Sequence, residues 1–211
     1  MLAEVLAAAL ICLDPGHGTA PAVGRQTEPI GPGAREVKVK DGGGARGEAA
    51  VALAIARRTR QELRARGFRV VMTRDGDGYR GGNRERAAFC NARGAALMIR
   101  IHADGSTDSS RRGVATLVPA RRRGWTDDIY SASRRAGRIV QHEVVQATGA
   151  LDLGLVERSD LTGFNWADVP VVLVETGFMT NPRERSLLQS SAYQRRVALG
   201  LATAAQRFVM R

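Results

Sequence analysis

Four residues combine chemically useful side chains with suggestive positions: His17, Glu48, His102 and Glu175. Imidazoles and carboxylates ligate divalent metals and carry protons, so a cluster of them can bind an ion, move a proton, or both. His17 follows an apolar run in Asp14-Pro15-Gly16-His17-Gly18, and Glu48 opens a helix-patterned stretch after Arg46-Gly47. His102 closes Leu97-Met98-Ile99-Arg100-Ile101-His102, and Glu175 closes Val171-Val172-Leu173-Val174-Glu175. Singly, each has an ordinary explanation. A histidine is commonly a hydrogen-bonded structural residue, a glutamate in a helix's first turn complements the helix dipole, and strands end in water. Together they say more. Two of the 3 histidines fall at expected strand ends beside small residues that leave room for a ligand. An acid also terminates the most hydrophobic strand, where an idle charge is costly.

These residues lie far apart in sequence, so only the fold can gather them. A buried strand is expected over 9–13, ended by the turn former Asp14-Pro15-Gly16. Residues 18–47 are rich in Gly and Pro and lack a sustained apolar period; a connection that long is functional or mobile. Alternation at 36–40 suggests a small hairpin arm, and Gly42-Gly43-Gly44 a flexible stretch. From 48 to 66 the pattern is helical, with Val51, Ile55, Thr59 and Leu63 at i+4 steps. Gly67 is placed to end that helix, with a strand at 68–73 to follow. Asn83 is placed to cap a second helix running through Arg93 and closed by Gly94. Strands are expected at 96–101 and 113–118, a long helix at about 127–148 stopped by Gly149, and helices at about 182–189 and 192–209. The nearly unbroken β-branched run at 169–174 reads as a strand covered on both faces. Such alternation predicts a single α/β domain spanning 1–211, with a largely parallel or mixed central sheet flanked by helices on both faces. Its ligands belong outside the carboxyl ends of the strands.

Composition narrows the partners. Lys+Arg 32 against Asp+Glu 21 gives a net charge of +11, and only Lys38 and Lys40 are lysines. That field attracts polyanions, among them anionic wall polymers. Aromatic residues make up 5% and do not interleave with the basic ones as a base-stacking platform requires, so no nucleic acid is expected as partner. No apolar run approaches the ~20 residues of a transmembrane helix. The start, MLAEVLAAALICLD, lacks a basic leader region and is not an intact signal peptide. Cys12 and Cys90 are too far apart for a Cys-x-x-Cys motif. They form a disulfide in an exported protein or remain buried thiols in a cytosolic one, and the sequence leaves both open.

Asp14-Pro15-Gly16-His17-Gly18, the helix-opening Glu48, the run from Asn83-x-Arg through Asn91-Ala92 into Ile99-Arg100-Ile101-His102-Ala103-Asp104, and Pro170-Val-Val-Leu-Val-Glu175-Thr-Gly-Phe-Met-Thr-Asn181-Pro182 resemble the zinc N-acetylmuramoyl-L-alanine amidases of the AmiA/AmiB/AmiC and CwlM-like kind. The resemblance runs from about residue 10 to 205 in the family's order. It implies that His17, Glu48 and His102 bind one zinc ion and that Glu175 is the catalytic acid/base. That assignment agrees with the chemistry, because two imidazoles and a carboxylate leave a coordination position for water. The implied substrate is peptidoglycan or a muropeptide, cut at the amide between N-acetylmuramic acid and L-alanine of the stem peptide.

The resemblance further implies export to the periplasm or cell wall, and a monomer is expected. Asp14 is a candidate to orient His17, or simply a turn former. Arg46, Arg74 and Arg100 are candidates to meet stem-peptide carboxylates, or structural cations. The 18–47 arm is either a gate over the metal or a plain surface loop, and no long insert occupies 106–169. His142 is expected on the surface, and Asn181 is expected to cap the next helix. Competing readings are a zinc peptidase cutting within stem peptides and a non-catalytic wall-binding or regulatory protein.

Overall fold

The central strands form where the sequence offers uninterrupted apolar residues, and burial on both sides of the sheet follows from that content. The computed structural model describes residues 9–210; most of the apolar start, expected not to be a signal peptide, lies outside the described residues. In chain order the elements are β1 (Leu10–Pro15), α1 (Pro21–Gly24), β2 (Thr27–Pro29), β3 (Val37–Val39), α2 (Glu48–Ala65) and β4 (Arg69–Met72). Then come α3 (Asn83–Asn91), β5 (Leu97–Asp104), β6 (Val114–Pro119), α4 (Tyr130–Thr148) and β7 (Asp152–Arg158). The chain ends with α5 (Thr162–Asn165), β8 (Val171–Phe178), α6 (Pro182–Gln189) and α7 (Ser191–Val209).

Six strands make one mixed sheet in the order β4-β1-β5-β8-β6-β7. β4, β1, β5 and β8 run parallel, β6 is antiparallel to β8, and β7 follows β6. Side chains alternate between the faces. Ile11, Leu13, Ile99, Ile101, Val172 and Val174 pack against Val51, Ile55 and Leu63 of α2, Val140 of α4 and Leu201 of α7. On the opposite face Cys12, Met98, Leu117 and Leu173 meet Cys90 of α3 and Phe164 of α5. Truncating a fully buried leucine such as Leu13 to alanine costs about 2–5 kcal/mol. Helices thus cover both faces of a mixed sheet, as expected. The cysteines are joined, Cys12 to Cys90, tying β1 to α3.

Several expected elements change in extent. β5 continues to Asp104 and β8 to Phe178, so His102 and Glu175 lie inside their strands instead of closing them. The apolar runs stop where expected, but the backbone ladder carries on through polar residues, with His102 paired to Glu175 and a register shift beyond it. Asn83 is the first residue of α3, not its cap: Gly82 is the N-cap, and the Glu28 carboxylate accepts from the N–H groups of Asn83 and Arg84 at 2.8 and 3.0 Å. β7 is an unexpected edge strand, because Gly154 interrupts its apolar pattern. The arm is a β2–β3 hairpin, in keeping with its alternation. Gly149 ends α4 at φ 69°, a left-handed conformation suited to glycine. No helix among the described residues is long and apolar enough to cross a membrane.

Candidate metal centre

The carboxyl ends of β1, β5 and β8, together with the start of α2, bring His17, Glu48, His102 and Glu175 to one cavity of about 620 Å³. Ligand atoms of His17, Glu48 and His102 lie within 4.8 Å of one another. Glu48 Oε1 is the hub, 3.1 Å from His17 Nε2 and 3.0 Å from His102 Nδ1. The two imidazoles meet edge to face, centroids 4.9 Å apart. Glu48 is fixed at the first position of α2, where its Oε2 accepts from Ala45 N–H at 2.8 Å and its Oε1 from Ala103 N–H at 3.2 Å.

His17 occupies this position at a conformational cost. Its φ of 56° is left-handed, and no other non-glycine among the described residues has a positive φ. The loop is built around glycines for close approach. A Cβ on Gly16 would stand 2.4 Å from the His102 ring, and one on Gly44 would stand 2.5 Å from both His17 and Glu48.

Electrostatics follow from burial and pairing. Burial alone would raise the Glu48 carboxyl, but His102 and His17 hold it well below the usual carboxylate range. Burial disfavours a charged His17, yet Asp41 and then Glu48 override it and raise the ring to about 9. At His102 burial prevails over Glu48, and the ring is lowered. Glu175 is pushed well up, first by burial and then by the nearby charges of Glu48 and Asp104. His102 Nε2 and Glu175 Oε2 are buried polar atoms without a partner. His17 Nε2 and His102 Nδ1 both stand about 3 Å from the same Glu48 oxygen, two imidazole nitrogens and a carboxylate close enough to share one divalent ion, so the donor set fits a metal.

The chain matches the family model for N-acetylmuramoyl-L-alanine amidase over residues 11–207. It belongs to that family. It is 31% identical over 217 residues to N-acetylmuramoyl-L-alanine amidase Rv3717 of Mycobacterium tuberculosis, covering 93% of this chain and 84% of the relative. It is 30% identical over 236 residues to N-acetylmuramoyl-L-alanine amidase AmiC of Neisseria meningitidis, covering 95% of this chain but only 52% of that one. Thus the chain spans about half the length of AmiC. The crystal structure of the N-acetylmuramyl-L-alanine amidase Ami1 from Mycobacterium smegmatis superposes with a TM-score of 0.86 at 28% identity, covering 97% of this chain and 98% of that one.

Within this amidase scaffold, some candidate residues take other roles than their sequence context suggests. Asp14 does not reach His17. It is fully buried and accepts from Arg86 Nη1 at 2.7 Å and Arg100 Nε at 2.8 Å, with Thr73 as a further donor. Asp41, missed in the sequence, is the orienting acid: its Oδ1 accepts from His17 Nδ1 at 2.7 Å. The available signal was an acid in the arm that leads to Glu48. Arg74 and Arg100 are buried structural cations. Arg74 donates to the carbonyls of Pro15, Gly16 and Ala49, and Arg86 Nη2 to that of His17 at 2.8 Å. Arg46 is exposed, as is His142, and Asn181 caps α6 by accepting from the N–H groups of Arg183 and Glu184. A second cavity of about 320 Å³ shares His17, His102 and Glu175 and continues past Leu117, Leu173, Arg111 and Arg158.

Proposed function

We propose that the chain is a zinc-dependent amidase that cleaves the bond between N-acetylmuramic acid and L-alanine in peptidoglycan. One observation carries the proposal: two imidazoles and a carboxylate converge within 4.8 Å, and Glu175 is paired directly across the sheet from His102. His17, Glu48 and His102 would hold the ion, three ligands being the number that leaves a position open for catalysis. Zinc, when bound, supplies Lewis acidity and makes water readily deprotonated at neutral pH.

The chain's own groups do the rest. Asp41 fixes the ring of His17 through Nδ1 and leaves Nε2 directed at Glu48. Glu175 lines the same cavity with a carboxyl oxygen free of protein partners. It takes a proton from the attacking water and delivers it to the departing nitrogen of L-alanine. A carboxyl raised above its ordinary range suits that double duty better than an exposed one. The Cys12–Cys90 bond supports an exported protein, since disulfides persist outside the cytosol. The +11 charge favours retention on anionic wall polymers there.

The test is product analysis on a defined muropeptide with zinc-loaded wild type and Glu175→Gln. Wild type should release the intact stem peptide, while Glu175→Gln should retain zinc by elemental analysis and release none. Fragments cut within the stem peptide would mark a peptidase, and unchanged substrate would mark a non-catalytic protein.

A further inference from the structure

The 18–47 arm is fastened to the body of the domain along its length. Lys38 donates to the carbonyl and the carboxylate of Asp160 at 2.7 and 3.0 Å. Pro29 O and Ile30 O accept from Trp166 Nε1 and Asn165 Nδ2, each at 2.9 Å. Glu28, 2% exposed, closes the N-terminus of α3. An arm held at so many points is a fixed wall of the centre.

Its last fastening lies nearest the proposed ligands. Asn83, the first residue of α3, donates from Nδ2 to Lys40 O at 2.8 Å and accepts at Oδ1 from Arg100 Nη2 at 2.5 Å. A cation on one side and a carbonyl on the other fix which way the amide faces. Asp41, the acid that orients His17, directly follows Lys40. Gly82 permits the approach: a Cβ there would stand 2.5 Å from Glu28 Oε2 and 2.6 Å from the Lys40 side chain, although its φ of −103° suits any residue.

Two branches leave one buried acid. Asp14 holds Arg86, which grips His17 O. Asp14 also holds Arg100, which holds Asn83, which in turn holds Lys40 O. The first branch places the backbone of His17, and the second places the backbone leading into Asp41. Neighbouring bonds do not supply this registration. The N–H groups of Lys40 and Asp41 donate to Gln26 O and Gly24 O, within the arm itself, and Thr19 N–H reaches Asp41 Oδ2 from His17's own loop. The contact between His17 Nδ1 and Asp41 joins the ends of both branches, so its geometry follows their alignment. We propose that Asn83 is a positioning residue of the metal centre, registering the arm against the His17 loop so that Asp41 meets His17 Nδ1. The inference rests on the zinc reading, in which the imidazole so oriented is a ligand.

Asn83→Asp isolates the donor. The carboxylate still accepts from Arg100 and suits the first turn of a helix, but it faces Lys40 O with no proton to give. Zinc affinity is measured by chelator competition at about pH 9.5 in wild type, Asn83→Asp, Asp41→Ala and the double variant. Asn83→Asp should lower affinity about tenfold while Asp41 is present and less than about twofold in Asp41→Ala, because a residue acting through another then has nothing to act on. The added charge, or a general loosening of the fold, acts in both backgrounds and cancels in that comparison. Equal losses in the two backgrounds, or none in either, overturn the proposal. Gly82→Ala disturbs the same junction by collision, leaves Asn83 in place and should show the same dependence on Asp41. It keeps the test decisive if Asn83→Asp fails to fold.

A second readout needs no metal. In the zinc-free protein the Nδ1 proton of His17 should give a low-field NMR resonance, absent in Asp41→Ala and shifted or lost in Asn83→Asp. An identical resonance in Asn83→Asp and wild type also overturns the proposal. Should the wild type bind no zinc, the zinc reading falls, and the NMR comparison still judges Asn83.

Discussion

Replacing Asp41 with alanine should expose two opposed effects of its carboxylate on zinc binding. Asp41 Oδ1 takes the Nδ1 proton of His17 at 2.7 Å, and its side chain is only 7% exposed. Losing a partner that orients a ligand costs about 10–100-fold in metal affinity, or about 1.4–2.7 kcal/mol. The opposite effect comes from protons. With Asp41 and Glu48 holding His17 at about 9, the metal-free ring is charged at neutral pH, and an ion must displace that proton. From about pH 7 to about pH 9 this competition amounts to roughly 2.7 kcal/mol, at ~1.36 kcal/mol per unit. Alanine removes one of the two carboxylates responsible, so the ring falls back toward its ordinary 6.5 and part of the competition disappears.

Near neutrality these contributions are similar in size and opposite in sign, so the variant should bind zinc almost as well as wild type. As pH rises, wild-type affinity climbs about tenfold per unit until His17 has lost its proton, whereas the variant levels off earlier. Around pH 9 and above, the whole deficit of about 10–100-fold should stand clear. Competition against a chelator of known zinc affinity, followed from about pH 6.5 to about pH 9.5, measures both curves. A wild-type to variant ratio constant over that range, or equal binding at its upper end, refutes the reasoning.

Three other perturbations test the surrounding structure. Gly16→Ala alters no ligand but puts a methyl 2.4 Å from the His102 ring, so zinc affinity should drop by about tenfold or more in the same chelator assay. Asp14→Asn leaves Arg86 and Arg100 without a buried counter-charge and should cost about 3–5 kcal/mol in urea unfolding at neutral pH. Since Arg86 and Arg100 outweigh burial and hold Asp14 far below its ordinary 3.8, its contribution is complete above that value and lost as pH falls through the folded pKa; the gap between the proteins should narrow in acid. Reducing Cys12–Cys90, which spans 78 positions, should add two hydrogens to the intact mass and lower stability by about 2–4 kcal/mol.

What the sequence makes legible depends on how local the governing physics is. The i+4 apolar steps at 48–66 correspond to α2, and Gly67, at φ 87°, ends it, because one buried stripe and one left-handed position dictate both pattern and structure. The four chemical residues were visible as residue types beside apolar runs. The full lengths of β5 and β8 were not, because backbone pairing carries them through Asp104 and Thr176, where hydrophobic pattern is silent. Asp14 and Asp41 show the harder limit. An acid before Pro-Gly reads as a turn former, yet arginines 72 and 86 positions away bury it. An acid before three glycines reads as loop, and its contact with His17 exists only once the hairpin arm folds back across 24 positions.

The same long-range contacts explain how the centre tolerates strain. A left-handed histidine persists only where its surroundings over-determine it. Here the carbonyls of Pro15, Gly16 and His17 are gripped by Arg74 and Arg86, while Asp14 neutralises Arg86 from below. Buried arginines are expensive, and a cheaper apolar packing would serve stability equally well. They give a loop whose backbone is held from several directions, which presents His17 to Glu48 before an ion arrives. Pre-organisation of this kind moves the cost of arranging ligands from the binding step to folding. On the proposed zinc reading, metal affinity and the stability of the arginine-clamped loop are therefore one coupled property, and substitutions in the clamp should lower both together without touching a proposed ligand.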